Sequence, residues 1–320
     1  MRPQARARLL TALKVAVTLG LLAWAFSLID FRTLRGRLSG ANVMMLAVSA
    51  AILVAGGFAG AGSWFFILRA RLPALSYRQT AACHWSGMFF NSFLPSNVGG
   101  DVVKGYIVAR DQGQAGFVVT SLLLDRAINL GMLLCIGVFA LLIQLGRPLL
   151  AAAFLALLTL LLAAVLASAR RLCAVMRRWP KEGLKGRLAE LAEPVFDLAA
   201  TPRLLAPTLL AALGSQMLKT WQNVFVILAL GLAIPPFSVW FLIPVLGVVS
   251  ALPISIGGLG PREMVAQRLA EPMGVSGTDM VLLSVAGHLA VVLVNTLGVV
   301  PFLFAKRKRK DPAAAAGVSR

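Results

Sequence analysis

The sequence predicts an all-α integral membrane protein with about six full transmembrane helices and two re-entrant, broken-helix hairpins in an inverted repeat. Three observations lead to this prediction: the composition, the lengths of the apolar runs, and a heptapeptide pattern that occurs twice. Of the 320 residues, 59% are hydrophobic and only 13% are charged, and the mean hydropathy is +0.84. Soluble domains carry about 25% charged residues. An ordinary soluble domain, a disordered chain and a disulfide-stapled secreted module are therefore excluded.

The net charge of +19 comes from 31 basic and 12 acidic residues. The basic residues cluster at the ends of apolar runs, which is typical of cytoplasmic flanks and not of a nucleic-acid-binding face. We therefore expect anionic lipid head groups, and no nucleic acid, as partners. The three cysteines and the two histidines, His84 and His288, have no metal-site spacing. No metal, disulfide or cofactor is expected.

The apolar runs predict the spans. Residues 15–29 follow a basic N-terminus and are interpreted as an uncleaved first span rather than a signal peptide. A membrane core requires about 20 helical residues, and most of the later runs are long enough. These runs are 41–68, 77–94, 117–145, 148–168, 204–230, 237–256 and 278–304. In the first of them, the small residues between Gly56 and Gly60 predict close helix packing.

Two of the runs end in a Pro and Gly break. Residues 94–100 and 252–258 share the pattern Leu-Pro-x-(Asn/Ser)-(Val/Ile)-Gly-Gly, 158 positions apart. The same succession of a long span, an apolar arm, a short helix and another long span surrounds each break, which indicates an internal duplication. The predicted membrane domain, 1–310, is divided into the first repeat (about 41–145), a connecting span with a basic loop (146–203) and the second repeat (about 204–304), and is followed by a disordered tail (311–320).

The charge distribution predicts the orientation, because cytoplasmic loops are rich in Lys and Arg. The N-terminus, the segments 69–78 and 170–187, and residues 306–310 are all basic. They lie on one side only if 77–110 and 237–271 are re-entrant hairpins. Six spans then remain, both termini are cytoplasmic, and the protein lies in a bacterial-type inner membrane. The basic segment 32–37 disagrees with this topology.

The breaks are predicted to carry function, because irregular backbone at membrane depth persists only inside protein or beside a water-filled cavity. Glycine pairs let the backbone approach a ligand, and each outgoing helix directs its N-terminal amides inward as an anion site. The alternative is that the breaks are packing kinks, since Gly and Pro are common in membrane helices. Their occurrence at two matching positions favours a binding site.

Charged residues near the breaks are the candidates for function, since ionisable groups inside a membrane face partners or water. Arg126, Lys219 and Arg262 are candidates to hold a phosphate. Asp101, Asp125 and Glu263 are candidates to pair with them or to take up a coupling proton or cation. The full set of candidate substrate-binding residues is Asn91, Asn97, Gly99, Gly100, Asp101, Lys104, Arg126, Lys219, Ser255, Gly257, Gly258, Arg262 and Glu263.

Two alternatives to these assignments are open. Asp125 and Arg126 are equally explained by an internal ion pair that locks helices together. Lys104 and Arg110 are alternatively explained by side chains that extend to the cytoplasmic interface, the preferred interpretation for Arg110.

The two breaks also resemble motifs of a known family. Residues 91–101 with a base at Lys104, residues 252–263 with their Gly-Gly-x-Gly-x-Arg-Glu sequence, and the pair Asp125-Arg126 resemble the lysylphosphatidylglycerol synthase membrane-domain family, also called flippase-like. Lys104 stands where Arg is common in that family. The resemblance implies a module that moves a lipid, linked to glycolipid, polyprenyl-lipid or hopanoid pathways. The aminoacyl-transferase domain of the full synthases is missing here, so we do not expect an enzyme.

The leading hypothesis is therefore a lipid translocase of the inner membrane that alternately exposes a site between inverted repeats. One alternative is a proton- or cation-coupled carrier of a small anionic solute, which needs the same broken helices. Another is an intramembrane enzyme or a non-catalytic membrane partner of a lipid-modifying transferase. No nucleotide-binding or hydrolase motif supports an enzyme.

Overall fold

The computed structural model describes residues 36, 39–93, 99–176, 194–198, 201–251 and 260–305, and within these ranges the secondary structure is helical. Ten helices are named in chain order. They are α1 (Val43–Arg69), α2 (Tyr77–Phe93), α3 (Gly99–Gln112), α4 (Ala115–Gln144), α5 (Pro148–Met176), α6 (Pro202–Leu230), α7 (Val239–Ala251), α8 (Pro261–Ala270), α9 (Gly277–Asn295) and α10 (Val299–Ala305). Three-residue 3₁₀ turns precede α7, follow α8 and join α9 to α10.

Three of the described helices are long and apolar enough to cross a membrane: Val43–Arg69, Ala115–Gln144 and Gly277–Leu303. The all-α membrane fold that the composition predicts is confirmed. The first predicted span at 15–29, the basic segment at 32–37 (except Gly36), the bases at 306–310 and the tail at 311–320 lie outside the described residues. The count of six spans and the side of each terminus therefore stay predictions.

Helices α1 and α6, which correspond to the long runs that open the two predicted repeats, form the most extensive contact among the described helices. Small residues allow this contact, because a Cβ atom on Gly56 would meet Leu218 at 3.4 Å and one on Gly60 would meet Ser215 at 3.1 Å. The Ser215 hydroxyl donates to the Gly56 carbonyl at 2.9 Å. The close helix packing predicted for this glycine-rich segment is confirmed within the chain.

Helices α2 and α3 form an antiparallel hairpin whose connection, residues 94–98, lies outside the described residues. Their closest approach is at Gly87 and Gly100, where a Cβ atom on Gly100 would overlap the Gly87 carbonyl oxygen. Near the other end of the hairpin, Cys83 and Val108 belong to the same buried apolar cluster. The chain therefore turns back along itself between the two long helices α1 and α4.

The arm of each break packs on the last span of the other predicted repeat. Helix α7 contacts α4, and the Pro244 ring would lie 2.7 Å from a Cβ atom on Gly137. Helix α2 contacts the α9–α10 region, where a Cβ atom on Gly298 would overlap the Trp85 carbonyl. Each contact depends on a glycine in the long span, because any side chain there would separate the helices. The helices that lead into the two breaks, α2 and α7, therefore pack in one helix bundle.

The connection between the predicted repeats begins with α5, which packs on α4. Most of the basic segment 170–187 and its continuation lie outside the described residues, but a short helical segment is described at 194–198. Asp197 in that segment pairs with Arg71, which lies between α1 and α2. The described segment 194–198 and the α1–α2 loop therefore lie at the same end of the bundle.

Candidate functional site

The start of α3 is held against α2. The backbone N–H of Gly100 donates to the Asn91 side-chain oxygen at 2.8 Å, so one of the first amides of this helix has an intramolecular partner. The contact between Gly100 and Gly87 leaves no room for a Cβ atom at either position. In this structure the second glycine of the motif thus serves close helix packing, while Gly99 begins the helix and is partly buried.

Asp101 is the centre of a buried group of charges. Its carboxylate lies 3.0 Å from the Lys104 ammonium one turn along α3 and accepts a hydrogen bond from the Arg126 guanidinium of α4. The Lys104 side chain is only 6% exposed, whereas that of Arg126 is 40% exposed. Lys104 therefore does not extend to the membrane interface. The Arg110 side chain is half exposed and pairs with exposed Asp111, and its position at the membrane interface stays a prediction.

Asp125 joins three helices through a second set of contacts. Its carboxylate accepts from the Ser63 hydroxyl of α1 at 2.9 Å and from the Asn129 amide at 3.0 Å, and it lies 3.9 Å from the Lys104 ammonium. The Asn129 oxygen in turn accepts from the Gln216 amide of α6 at 2.8 Å. Asp125 and Arg126 thus belong to one network but have different partners, which are Ser63 and Asn129 for Asp125 and Asp101 for Arg126.

Trp64 of α1 covers the Lys104 ammonium, which lies 4.8 Å from the centroid of the indole ring. The indole N–H donates to the Ser121 hydroxyl of α4 at 3.1 Å. An aromatic face stabilises a cation electrostatically, especially where water is excluded. Trp64 is therefore a member of the site.

Lys219 lies on the face of α6 that turns toward this network, one helical turn from both Ser215 and Asn223. It interacts electrostatically with Asp125 and Lys104 but forms no ion pair with any residue in the described ranges. Asp101, Lys104, Asp125, Arg126 and Lys219 are called the charged cluster below. It has three cations and two carboxylates, so it carries one excess positive charge.

The second break has its own charged residues at the start of α8. The Glu263 carboxylate is fully buried and accepts from the Gly260 N–H at 2.7 Å and from the Ser284 hydroxyl of α9 at 3.0 Å. The Ser284 oxygen also accepts from the Arg262 guanidinium at 3.0 Å. Gly260 has a φ of 91°, which a residue with a side chain rarely adopts. Glu263 thus caps the helix, and Arg262 is fixed against α9.

The two breaks have matching sequences. The interval of 158 residues that separates the heptapeptides also separates Lys104 from Arg262, so each repeat has a cation at the same place in its outgoing helix. Asn223 of α6 lies between the charged cluster and α9. It follows Lys219 by one turn, and its side-chain oxygen lies against Gly287 of α9. The adjacent His288 interacts electrostatically with Arg262. A polar face of α6 therefore leads from the charged cluster toward the second break.

Several site residues were not singled out from the sequence. They are Ser63, Ser121, Asn129, Asn223 and Ser284. The spacing of polar residues offered a signal, because Asp125 and Asn129, and likewise Lys219 and Asn223, are four residues apart in apolar helices and so share a face. Four predicted residues lie outside the described residues and are untested, namely Asn97, Ser255, Gly257 and Gly258.

Comparison with known proteins shows the family. The family described as the lysylphosphatidylglycerol synthase TM region matches residues 11–298, nearly the whole chain. No curated protein and no solved structure matches at the level searched. The matched region includes both breaks, all five residues of the charged cluster, and Arg262 and Glu263. The chain therefore belongs to the family of lysylphosphatidylglycerol synthase transmembrane regions.

Proposed function

We propose that this protein is a lipid translocase, of the flippase or scramblase type, that moves an anionic phospholipid or a polyprenyl- or glycolipid across the cytoplasmic membrane. One observation carries the proposal: the charged cluster has an excess cation inside a bundle of apolar helices. Lys219, the cation without an ion partner among the described residues, is partly buried between apolar helices, where a lone charge is costly. An anionic head group entering the cluster would neutralise it, and the acyl chains would stay in the bilayer.

Lys219 is the cation that the proposal assigns to the substrate phosphate. Both carboxylates of the cluster already have partners, since Asp101 pairs with Lys104 and Arg126, and Asp125 accepts from Ser63 and Asn129. Lys219 therefore has the least compensated charge in the cluster. A phosphate oxygen offers it a charge-assisted hydrogen bond, which is stronger than a neutral one.

Membership of a lipid-related transmembrane family supports a lipid over a water-soluble substrate. The proposal needs no covalent step, so the protein is not proposed to be an enzyme, and its partners are membrane lipids together with a lipid-modifying enzyme. The proposed topology has six spans, two re-entrant hairpins and cytoplasmic termini. The pairing of Arg71 with Asp197 agrees with its placement of the α1–α2 loop and the connecting segment on one side, because Arg71 lies in the basic segment 69–78 and Asp197 follows the basic segment 170–187.

The test is a lipid-flip assay in proteoliposomes with phosphatidylglycerol that carries a dithionite-sensitive fluorophore on its head group. Vesicles with wild-type protein should lose the protected inner-leaflet fluorescence, and empty vesicles should retain it. Lys219→Met should slow the loss at least about tenfold, because a hydrogen bond to a charged group contributes about 1.5–3 kcal/mol. The matched control is Arg268→Gln, which removes an exposed base from α8.

Equal rates in empty and protein-containing vesicles would refute the translocase proposal. A second arm measures efflux of inorganic phosphate from the same vesicles. Rapid, Lys219-dependent phosphate efflux without lipid movement would instead support a carrier of a small anion.

A further inference from the structure

An apolar groove runs between the first hairpin and the last span of the chain. It encloses about 510 Å³ between α1, α2 and the α9–α10 region, and its lining includes Phe58, Ala82, Trp85, Leu297 and Val300. This volume is in the range of small-molecule binding sites. Three of these side chains, Phe58, Leu297 and Val300, are 45–51% exposed, so the groove is open along the outside of the bundle.

A second apolar groove lies between α7 and α4. It encloses about 280 Å³, and its lining includes Val138, Leu141, Phe241 and Pro244. Each groove therefore lies beside the helix that leads into one of the breaks, α2 or α7. Its opposite wall is the last long span of the other predicted repeat.

Four lining residues of the first groove have a counterpart in the lining of the second. Ala82 and Phe241 are 159 residues apart, which is within one residue of the interval between the heptapeptides. The same interval relates Trp85 to Pro244, Val138 to Leu297, and Leu141 to Val300. Because the predicted repeats have opposite orientations, the grooves are expected in opposite leaflets.

The first groove has the length and polarity of a site for one lipid chain. It extends along α2 from Arg78 to Trp85, a rise of about 11 Å. One leaflet of the hydrocarbon core is about 15 Å deep. Arg78 is exposed and stands at the start of α2, next to the basic loop between α1 and α2. The second groove has only apolar residues in its lining, so the described parts of the two grooves differ in charge.

We infer that the first groove binds one acyl chain of a phospholipid whose anionic head group contacts Arg78, and that the second groove binds an acyl chain in the opposite leaflet without selecting head-group charge. The apolar lining favours the chain, and the single cation at one mouth favours a negative head group there. This inference goes beyond translocation, because it concerns lipids bound on the outside of the bundle and not the lipid head group that is moved across the membrane.

The inference is tested by native mass spectrometry of the detergent-purified protein with phosphatidylglycerol or phosphatidylcholine of identical chains. The wild-type protein should retain phosphatidylglycerol about fivefold more strongly, the effect expected of one basic residue at an anionic surface. Arg78→Gln should abolish this preference. Arg203→Gln, which removes an exposed arginine at the start of α6, should leave it unchanged.

Ala82→Phe tests the groove itself, because it introduces the residue found at the matching position of the second groove. Retention of both lipids should fall at least threefold, whereas Ala153→Phe on the exposed face of α5 should have no effect. Unchanged retention in Ala82→Phe would overturn the inference and indicate that another part of the chain, or a second copy, covers the groove.

A second measurement does not depend on the folding of a variant. Phosphatidylglycerol with a photoreactive group at mid-chain should cross-link the wild-type protein mainly at the α2 and α10 peptides of the first groove and at the α4 and α7 peptides of the second. Cross-links spread evenly over the exposed faces, including α5, would show bulk lipid only and would refute the inference. Retention and cross-linking measure lipid binding, whereas the flip assay measures lipid transfer. The inference and the translocase proposal can therefore be refuted independently.

Discussion

Replacing Asp101 by Asn should strongly destabilise the protein. The change removes the carboxylate that lies 3.0 Å from the Lys104 ammonium and also pairs with Arg126, while preserving the shape of the side chain. Removal of one partner from a buried ion pair costs about 3–5 kcal/mol, because the other charge stays uncompensated. The lower value is expected, since Arg126 is 40% exposed and can be hydrated, and only Lys104 is left buried without its nearest anion.

Asp111→Asn is the matched control. Asp111 also lies 3.0 Å from a basic nitrogen, that of Arg110, but the two side chains are 55% and 50% exposed. Exposed pairs contribute about 0–1 kcal/mol. The two variants therefore differ mainly in burial, and Asp101→Asn should lose at least about 2 kcal/mol more free energy of unfolding than Asp111→Asn.

The assay is denaturant unfolding in mixed micelles, followed by tryptophan fluorescence. In the Asp101→Asn background, the additional change Lys104→Met should restore part of the lost free energy, because it removes the uncompensated ammonium. Equal losses for Asp101→Asn and Asp111→Asn, together with no recovery in the double variant, would show that the charged cluster is hydrated and would refute the reasoning.

Two further substitutions test the packing and the second break. Gly100→Ala should cost about 3 kcal/mol or more in free energy of unfolding, because its Cβ atom would overlap the Gly87 carbonyl oxygen. The control is Gly131→Ala in α4, where a Cβ atom would meet no neighbouring atom within 4 Å. This change should be neutral or slightly stabilising. A similar effect at both positions would contradict the hairpin contact. Ser284→Ala should lower the free energy of unfolding by about 1–3 kcal/mol, because an oxygen of buried Glu263 would lose its hydrogen-bond donor. The control, Thr159→Ala on an exposed face of α5, should change the free energy of unfolding little. Equal losses of free energy for Ser284→Ala and Thr159→Ala would contradict the buried hydrogen bond from Ser284 to Glu263.

The helices could be predicted closely, because their boundaries are encoded locally. The short helix predicted after each break corresponds to α3 and to α8, and the long runs at 117–145 and 204–230 correspond to α4 and α6. Apolar composition and Pro or Gly breaks act within a few residues, so their effect on the chain is visible in a single sequence.

The candidate site could be predicted in part. The sequence indicated Asp101, Lys104 and Arg126 as charges at membrane depth, and the structure brings them together. It could not indicate that Gly100 packs on α2, nor that Ser63 donates to Asp125, because these contacts join residues that are distant in the chain or on different helices.

By itself, the sequence determined that this chain is a helical membrane protein with two related breaks, since hydropathy and glycine–proline punctuation act locally and need no partner. Only the tertiary structure decided which charges compensate one another. Lys104 is neutralised and Lys219 is not, because α1, α3 and α4 supply the anions and their donors while α6 presents its lysine without one. Electrostatic compensation in a medium of low dielectric depends on distances of a few ångströms between separate helices, and those distances are fixed by packing.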